Sequence, residues 1–163
     1  MTLAGAATFN SPLEAGLRVI AVLVPAYPNA FDLQRLVAFD YLVVHSGDMG
    51  GPDSLHPGLP QRQAELLVRR SVVERGLHLL MHRGLVEREL STQGLQYRAG
   101  DLAQTILDSF VSPYIASLRE RGAWVVSTFG GMSEADLRAG MARVFGHWIE
   151  EFQAVQRSLA FES

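Results

Sequence analysis

The stretch that most restricts what this chain can fold into lies between residues 64 and 98. A helical pattern runs from about Ala64 to Arg83, with Leu66, Val73, Leu77, Leu80 and Met81 on its apolar side. Arg69, Arg70, Arg75, His78, His82 and Arg83 fall largely outside that stripe. Gly84 stands where a helix C-cap belongs. Two short strands, Leu85–Leu90 and Leu95–Arg98, then flank Ser91-Thr92-Gln93-Gly94, which is a hairpin in outline. Helix, Gly-Leu-Val, strand, turn and strand is the order of a winged helix, and it predicts such a core over 64–100. Many small folds place a hairpin after a helix, so the order speaks to architecture and not to function.

The rest of the chain reads as helices around that core. Ser11-Pro12-Leu13-Glu14 starts the first: Ser11 caps, Pro12 suits the first helical position, and Glu14 completes a capping box. Leu13, Leu17, Ile20, Ala21 and Val24 follow at helical spacing, and Val19, Val22 and Leu23 make the far side apolar too. A helix apolar all round is a buried one. Pro25 and Pro28 are expected to end it. Asp32 caps a second helix to about His45, completing an N-terminal helical pair over 10–45. Residues 46–63 hold too much Gly and Pro for a regular element, and a loop of that length is expected to be functional or packed on itself. Beyond 100, Asp101 with Gln104 is expected to cap a helix that Pro113 interrupts. Tyr114–Thr128 follows, and Ser133 with Asp136 opens the last helix, to about Gln156. The expectation is one domain over 1–163, mainly α with a small β-hairpin: a winged-helix core, N-terminal helices, and C-terminal helices over 101–158.

Composition excludes several classes. With 48% apolar and 19% charged residues and a net charge of −3, the chain is neither disordered nor a disulfide scaffold. It has no cysteine, which removes thiol catalysis and thiolate metal sites. All 14 basic residues are arginine, so lysine Schiff-base chemistry is excluded as well. The longest apolar run, Val19–Tyr27, already contains Pro25 and is far short of the ~20 residues of a membrane span. No secretory signal pattern opens the sequence, which reads as cytoplasmic.

Three groups of residues are candidates for function. The first is basic: residues 64–98 carry six arginines against four acids, the only third of the chain with positive balance. Arg69, Arg70, Arg75 and Arg83 on the helix, with Arg88 and Arg98 on the wing, are candidates to meet phosphates or an acidic protein. The competing reading is a solvated helix face partly neutralised by Glu65 and Glu74. Between Ala64 and Arg83 there is no Asn or Gln to read bases, which argues against sequence-specific recognition. The second group is His45, Ser46, Asp48 and His56. Metal ligation and a hydrolytic triad are the two chemical readings such residue types allow. The spacing matches no metal motif, and no Gly-x-Ser-x-Gly elbow is present. A structured docking loop is the plainer reading. The third group is an aromatic seam of Phe145, Trp148 and Phe152, which is either core or a partner helix's seat.

The residues also resemble a family. Phe9-Asn10-Ser11-Pro12-Leu13-Glu14-Ala15-Gly16-Leu17-Arg18 resembles the opening of the middle component of bacterial ABC-three-component systems. Leu33-Gln34-Arg35-Leu36-Val37 and Asp40-Tyr41-Leu42-Val43-Val44-His45-Ser46-Gly47-Asp48 are similar to its next block. Ser54-Leu55-His56-Pro57, Glu65-Leu66-Leu67-Val68-Arg69-Arg70, Arg83-Gly84-Leu85-Val86, Tyr97-Arg98-Ala99 and Leu118-Arg119-Glu120-Arg121 continue the likeness. It covers about residues 9–129. The resemblance implies an accessory subunit beside a coiled-coil ABC (SMC-like) ATPase and an effector, often a nuclease, as in the Lamassu antiphage systems. It carries over no catalytic residue and no cofactor. The runner-up is a winged-helix transcription regulator that binds DNA as a homodimer.

Overall fold

The computed structural model describes residues 11–56 and 62–145. Among them the elements run α1 (Pro12–Ala26), α2 (Leu33–Val44), a 3-10 turn (Ser46–Met49), α3 (Arg62–His82), β1 (Val86–Ser91), β2 (Gly94–Ala99), α4 (Ala103–Ser109), α5 (Pro113–Phe129) and α6 (Glu134–Phe145). The protein is mainly helical with a two-stranded antiparallel hairpin, the one sheet among the described residues.

Side-chain caps start most of these helices. Ser11 Oγ accepts from the Glu14 N–H at 3.1 Å, and Asp32 Oδ1 accepts from the Arg35 N–H at 2.8 Å. Ser112 and Ser133 do the same for α5 and α6. Each such cap is worth about 1 kcal/mol. Asp101 does not form the expected cap. Its position is overruled by the turn out of β2, where Gly100 N–H bonds to Leu85 and Ala103 N–H bonds to Gly100. The α4 helix therefore starts at Ala103, and Gln104 bonds one turn ahead to Asp108 at 2.8 Å.

The core is built on α1. Ala15, Val19, Ile20, Ala21, Val22 and Leu23 are all buried, and α1 packs against α2, α3, α4, α5 and β2. The helix does not stop at Pro25 but carries it in its last turn, ending at Ala26. Pro25 has no N–H to return to the Ala21 carbonyl. The α5 helix closes on that vacancy through Gly122, where a Cβ would collide with the Ala21 oxygen. The α3 helix begins two residues earlier than its apolar pattern indicates, at Arg62.

A third strand segment joins the hairpin. Phe31, between α1 and α2, exchanges both backbone hydrogen bonds with Tyr97 of β2, at 2.9 and 2.8 Å. In order along the chain this makes helix, bridge, helix, helix, strand, strand. The α6 helix adds Leu137 and Met141 to the core and contacts the 3-10 turn. No helix among the described residues is long and apolar enough to cross a membrane.

Candidate functional site

Three helices meet at one carboxylate. Asp40 on α2 is fully enclosed; Arg18 of α1 donates to its Oδ1 and Arg69 of α3 to its Oδ2, each at 2.6 Å. Glu14, one turn before Arg18, approaches that guanidinium at 3.7 Å. Burial on its own raises the Asp40 carboxyl, but the two guanidiniums outweigh it and hold the group below its ordinary value. Burial lifts Glu14 above its ordinary value against the pull of Arg18. A buried charge is tolerated only when paired and hydrogen-bonded. Here one carboxylate ties α1, α2 and α3 together.

The ionic centre continues into the segment after α2. The Arg69 guanidinium lies over the Tyr41 ring, 5.6 Å from its centroid. Tyr41 donates to Asp48 Oδ2 at 2.9 Å, and its ring packs on His45 at 4.4 Å. His45 meets His56 edge to face at 6.3 Å, and His56 Nε2 shares a 2.8 Å hydrogen bond with the Tyr114 hydroxyl of α5. Burial, then the positive field of Arg18, His45 and Arg69, pushes His56 down to about 4. Burial and the Glu14 carboxylate push Tyr114 up to about 12. Both therefore stay neutral through the physiological range, as groups that hold a structure together do.

Residues 46–56 fold back on themselves. Ser46 Oγ donates to the Pro52 carbonyl at 2.7 Å, the Gly47 N–H donates to Ser54 Oγ, and the amides of Leu55 and His56 both return to Val44. Arg121 of α5 clamps the Asp53 carbonyl with Nε at 3.0 Å and a terminal nitrogen at 2.8 Å. Gly51 rests against Trp124 so closely that a Cβ there would overlap the indole. His45 and Ser46 are interior residues, and Asp48 and His56 are partly covered. The four loop candidates are thus brought together, but facing inward. Ser46 spends its proton on a carbonyl and not on an imidazole, which is not the arrangement of a nucleophile. No group of three or more metal-ligating side chains occurs among the described residues.

The six arginine candidates do not form one stripe. Arg69 sits in the ionic centre. Arg70 reaches Glu74 at 3.5 Å, and Arg98 lies between Glu87 at 2.9 Å and Glu89 at 3.4 Å. Arg75, Arg83 and Arg88 are exposed. The outward line of α3 is Val68, Ser71, Arg75, His78 and His82. Phe145 ends α6, whereas Trp148 and Phe152 lie outside the described residues.

Sequence reasoning did not find the Arg18–Asp40 pair, Tyr114 or Arg121. A signal existed for the first: Arg18 and Asp40 stand inside runs that are otherwise apolar, Leu17–Ile20 and Val37–Leu42. A charge in such a place needs a buried partner.

Fold and site together define a small helix-rich protein with a β-hairpin arm, whose ionic centre locks helices together. The chain matches the family of the ABC-three component (ABC-3C) system Middle Component 2 over residues 8–151, and it belongs to that family. It is accordingly an accessory component of an ABC-3C system, whose other components include an ABC ATPase. No curated protein and no solved structure gives a match.

Proposed function

We propose that this protein is a non-catalytic adaptor that bridges a coiled-coil, SMC-like ABC ATPase and an effector in a cytoplasmic, Lamassu-type antiphage complex. The observation that carries the reading is its membership of the middle-component family over nearly the whole chain. The geometry agrees with it: the residues best suited to chemistry, His45, Ser46, Asp48 and His56, are engaged in holding the interior.

A winged-helix reading goes with this role. The order α1, Phe31, α2, α3, β1, β2, with Phe31 paired to β2, supports a winged-helix core over 12–99, wider than the 64–100 of the helix-and-hairpin pattern. In that frame α3 presents Arg75, His78 and His82 outward, with Arg83 just beyond its end. They supply weak, sequence-independent contact to a phosphate backbone. The same topology is the one observation that favours the second reading, a homodimeric transcription regulator.

The test is co-expression with the ABC ATPase and the effector encoded beside it, followed by size-exclusion chromatography with light scattering and mass spectrometry. The adaptor reading expects a stable complex of defined stoichiometry. A lone homodimer that prefers one DNA sequence by about a thousandfold or more would establish the regulator instead.

A further inference from the structure

The hairpin carries more apolar surface than its own fold covers. In its register Val86 faces Ala99, Arg88 faces Tyr97 and Leu90 faces Leu95, and these three pairs share one side of the ribbon. Val86, Ala99 and Tyr97 are buried. The row then runs off the core, leaving Leu90 80% and Leu95 48% exposed, side by side at the tip. On the opposite side Arg98 bridges both Glu87 and Glu89, one cation between two carboxylates, so that side keeps a net negative charge. Arg88 stands on the apolar side, exposed, and pairs with no carboxylate among the described residues. The far edge of β2 is partly taken by Phe31, while β1 pairs with no other described strand.

We infer that the hairpin tip is a docking surface for a protein segment of apolar residues flanked by carboxylates. Its apolar residues cover Leu90 and Leu95, and an acid meets Arg88. The inference rests on the adaptor reading and says which part of the molecule does the docking. Charge selects the occupant. Arg88 and Arg98 against Glu87 and Glu89 leave the hairpin neutral, so a nucleic-acid backbone gains nothing from it. A second copy docked through the same side offers Arg88 no carboxylate, because that side carries none. An acidic, apolar segment instead satisfies the cation and removes both leucines from water, the combination that makes an interface selective. The charged run Glu87-Arg88-Glu89 meanwhile blunts indiscriminate strand pairing at the edge of β1.

The experiment uses the full chain with its ABC ATPase and effector, comparing wild type, Leu90→Asp/Leu95→Asp and Arg88→Glu by biolayer interferometry. A photo-crosslinking residue at position 90 provides the second readout. All three side chains are exposed, so the variants keep the wild-type melting temperature. The leucine pair variant is expected to weaken binding by roughly tenfold or more, and Arg88→Glu by a similar factor that shrinks at high salt. The crosslink is expected on an Asp- or Glu-bearing peptide of the ATPase or the effector. Variants that bind as tightly as wild type would overturn the hairpin's role while the adaptor reading stands, as would a crosslink to DNA or to a second copy. If wild type itself binds neither protein, the adaptor reading falls and this inference falls with it.

Discussion

At the scale of single residues, the balance at Asp40 decides what a substitution does. Asp40→Asn keeps the shape but leaves Arg18 and Arg69 facing a neutral amide in the interior. Breaking a buried pair in this way costs about 3–5 kcal/mol, so the urea midpoint is expected to fall sharply. Replacing Arg18, Asp40 and Arg69 together by Met, Leu and Met removes the charges as well as their pairing. That triple variant is expected to recover most of the loss, which the same titration measures. His56 supplies a pH signature. Its imidazole titrates near 6.5 in the unfolded chain and at about 4 in the folded one. Between those values the unfolded state binds more protons, so the contribution is whole above pH 6.5 and drains away as pH falls toward 4. Discounted for its partial exposure, the loss is about 1–2 kcal/mol. His56→Gln should flatten that part of the acid limb when unfolding free energies at pH 7.5 and 4.5 are compared. Subtracting the variant from wild type cancels the opposing drift of Glu14.

Elements are held by contacts that leave almost no room. Gly122 brings α5 onto the Ala21 carbonyl that Pro25 leaves without its helical donor. Gly122→Ala is expected to push the two helices apart and cost about 1–3 kcal/mol, read from thermal or urea unfolding. Gly51→Ala displaces Trp124 and should loosen the 46–56 segment before the helices melt, which hydrogen exchange at Leu55 and His56 would detect. What could be read in advance was local. Ser11, Asp32 and Ser133 cap as their spacing says, and the hairpin turns between Ser91 and Gly94. What could not be read was long-range. The 46–56 segment is clamped by Tyr114 and Arg121, 58 and 68 positions away from their partners, so its Gly and Pro showed only a loop. Arg69 looked like a surface arginine because its partner Asp40 belongs to another helix. Asp101 failed as a cap for the same reason, since the tertiary turn at Gly100 sets where α4 begins.

The scale of the whole molecule is where DNA contact is decided, because counterion release counts charges and not motifs. The chain carries a net charge of −3, and of the six arginines between 64 and 98 three are taken by Asp40, Glu74 and the Glu87–Glu89 pair. Arg75, Arg83 and Arg88 remain exposed, and because Arg88 belongs to the neutral hairpin, Arg75 and Arg83 are left to meet phosphates. Two neutralised phosphates give a log–log salt slope of about −2 at most, or roughly a 12-fold loss of affinity between 50 and 200 mM salt. Binding by this subunit is therefore expected to be weak, alike on unrelated duplexes, and gone near physiological salt in a fluorescence-anisotropy titration. Arg75→Ala/Arg83→Ala should lower the slope by about 2 and leave the association with ATPase and effector intact, because α3 and the hairpin tip are separate surfaces. A slope well beyond −2 would mean that arginines now held by carboxylates let go to meet DNA. The ionic centre at Asp40 would then be a switch and not a lock. If that variant instead loses its protein partners while its slope is unchanged, α3 is the docking helix and phosphate contact is incidental.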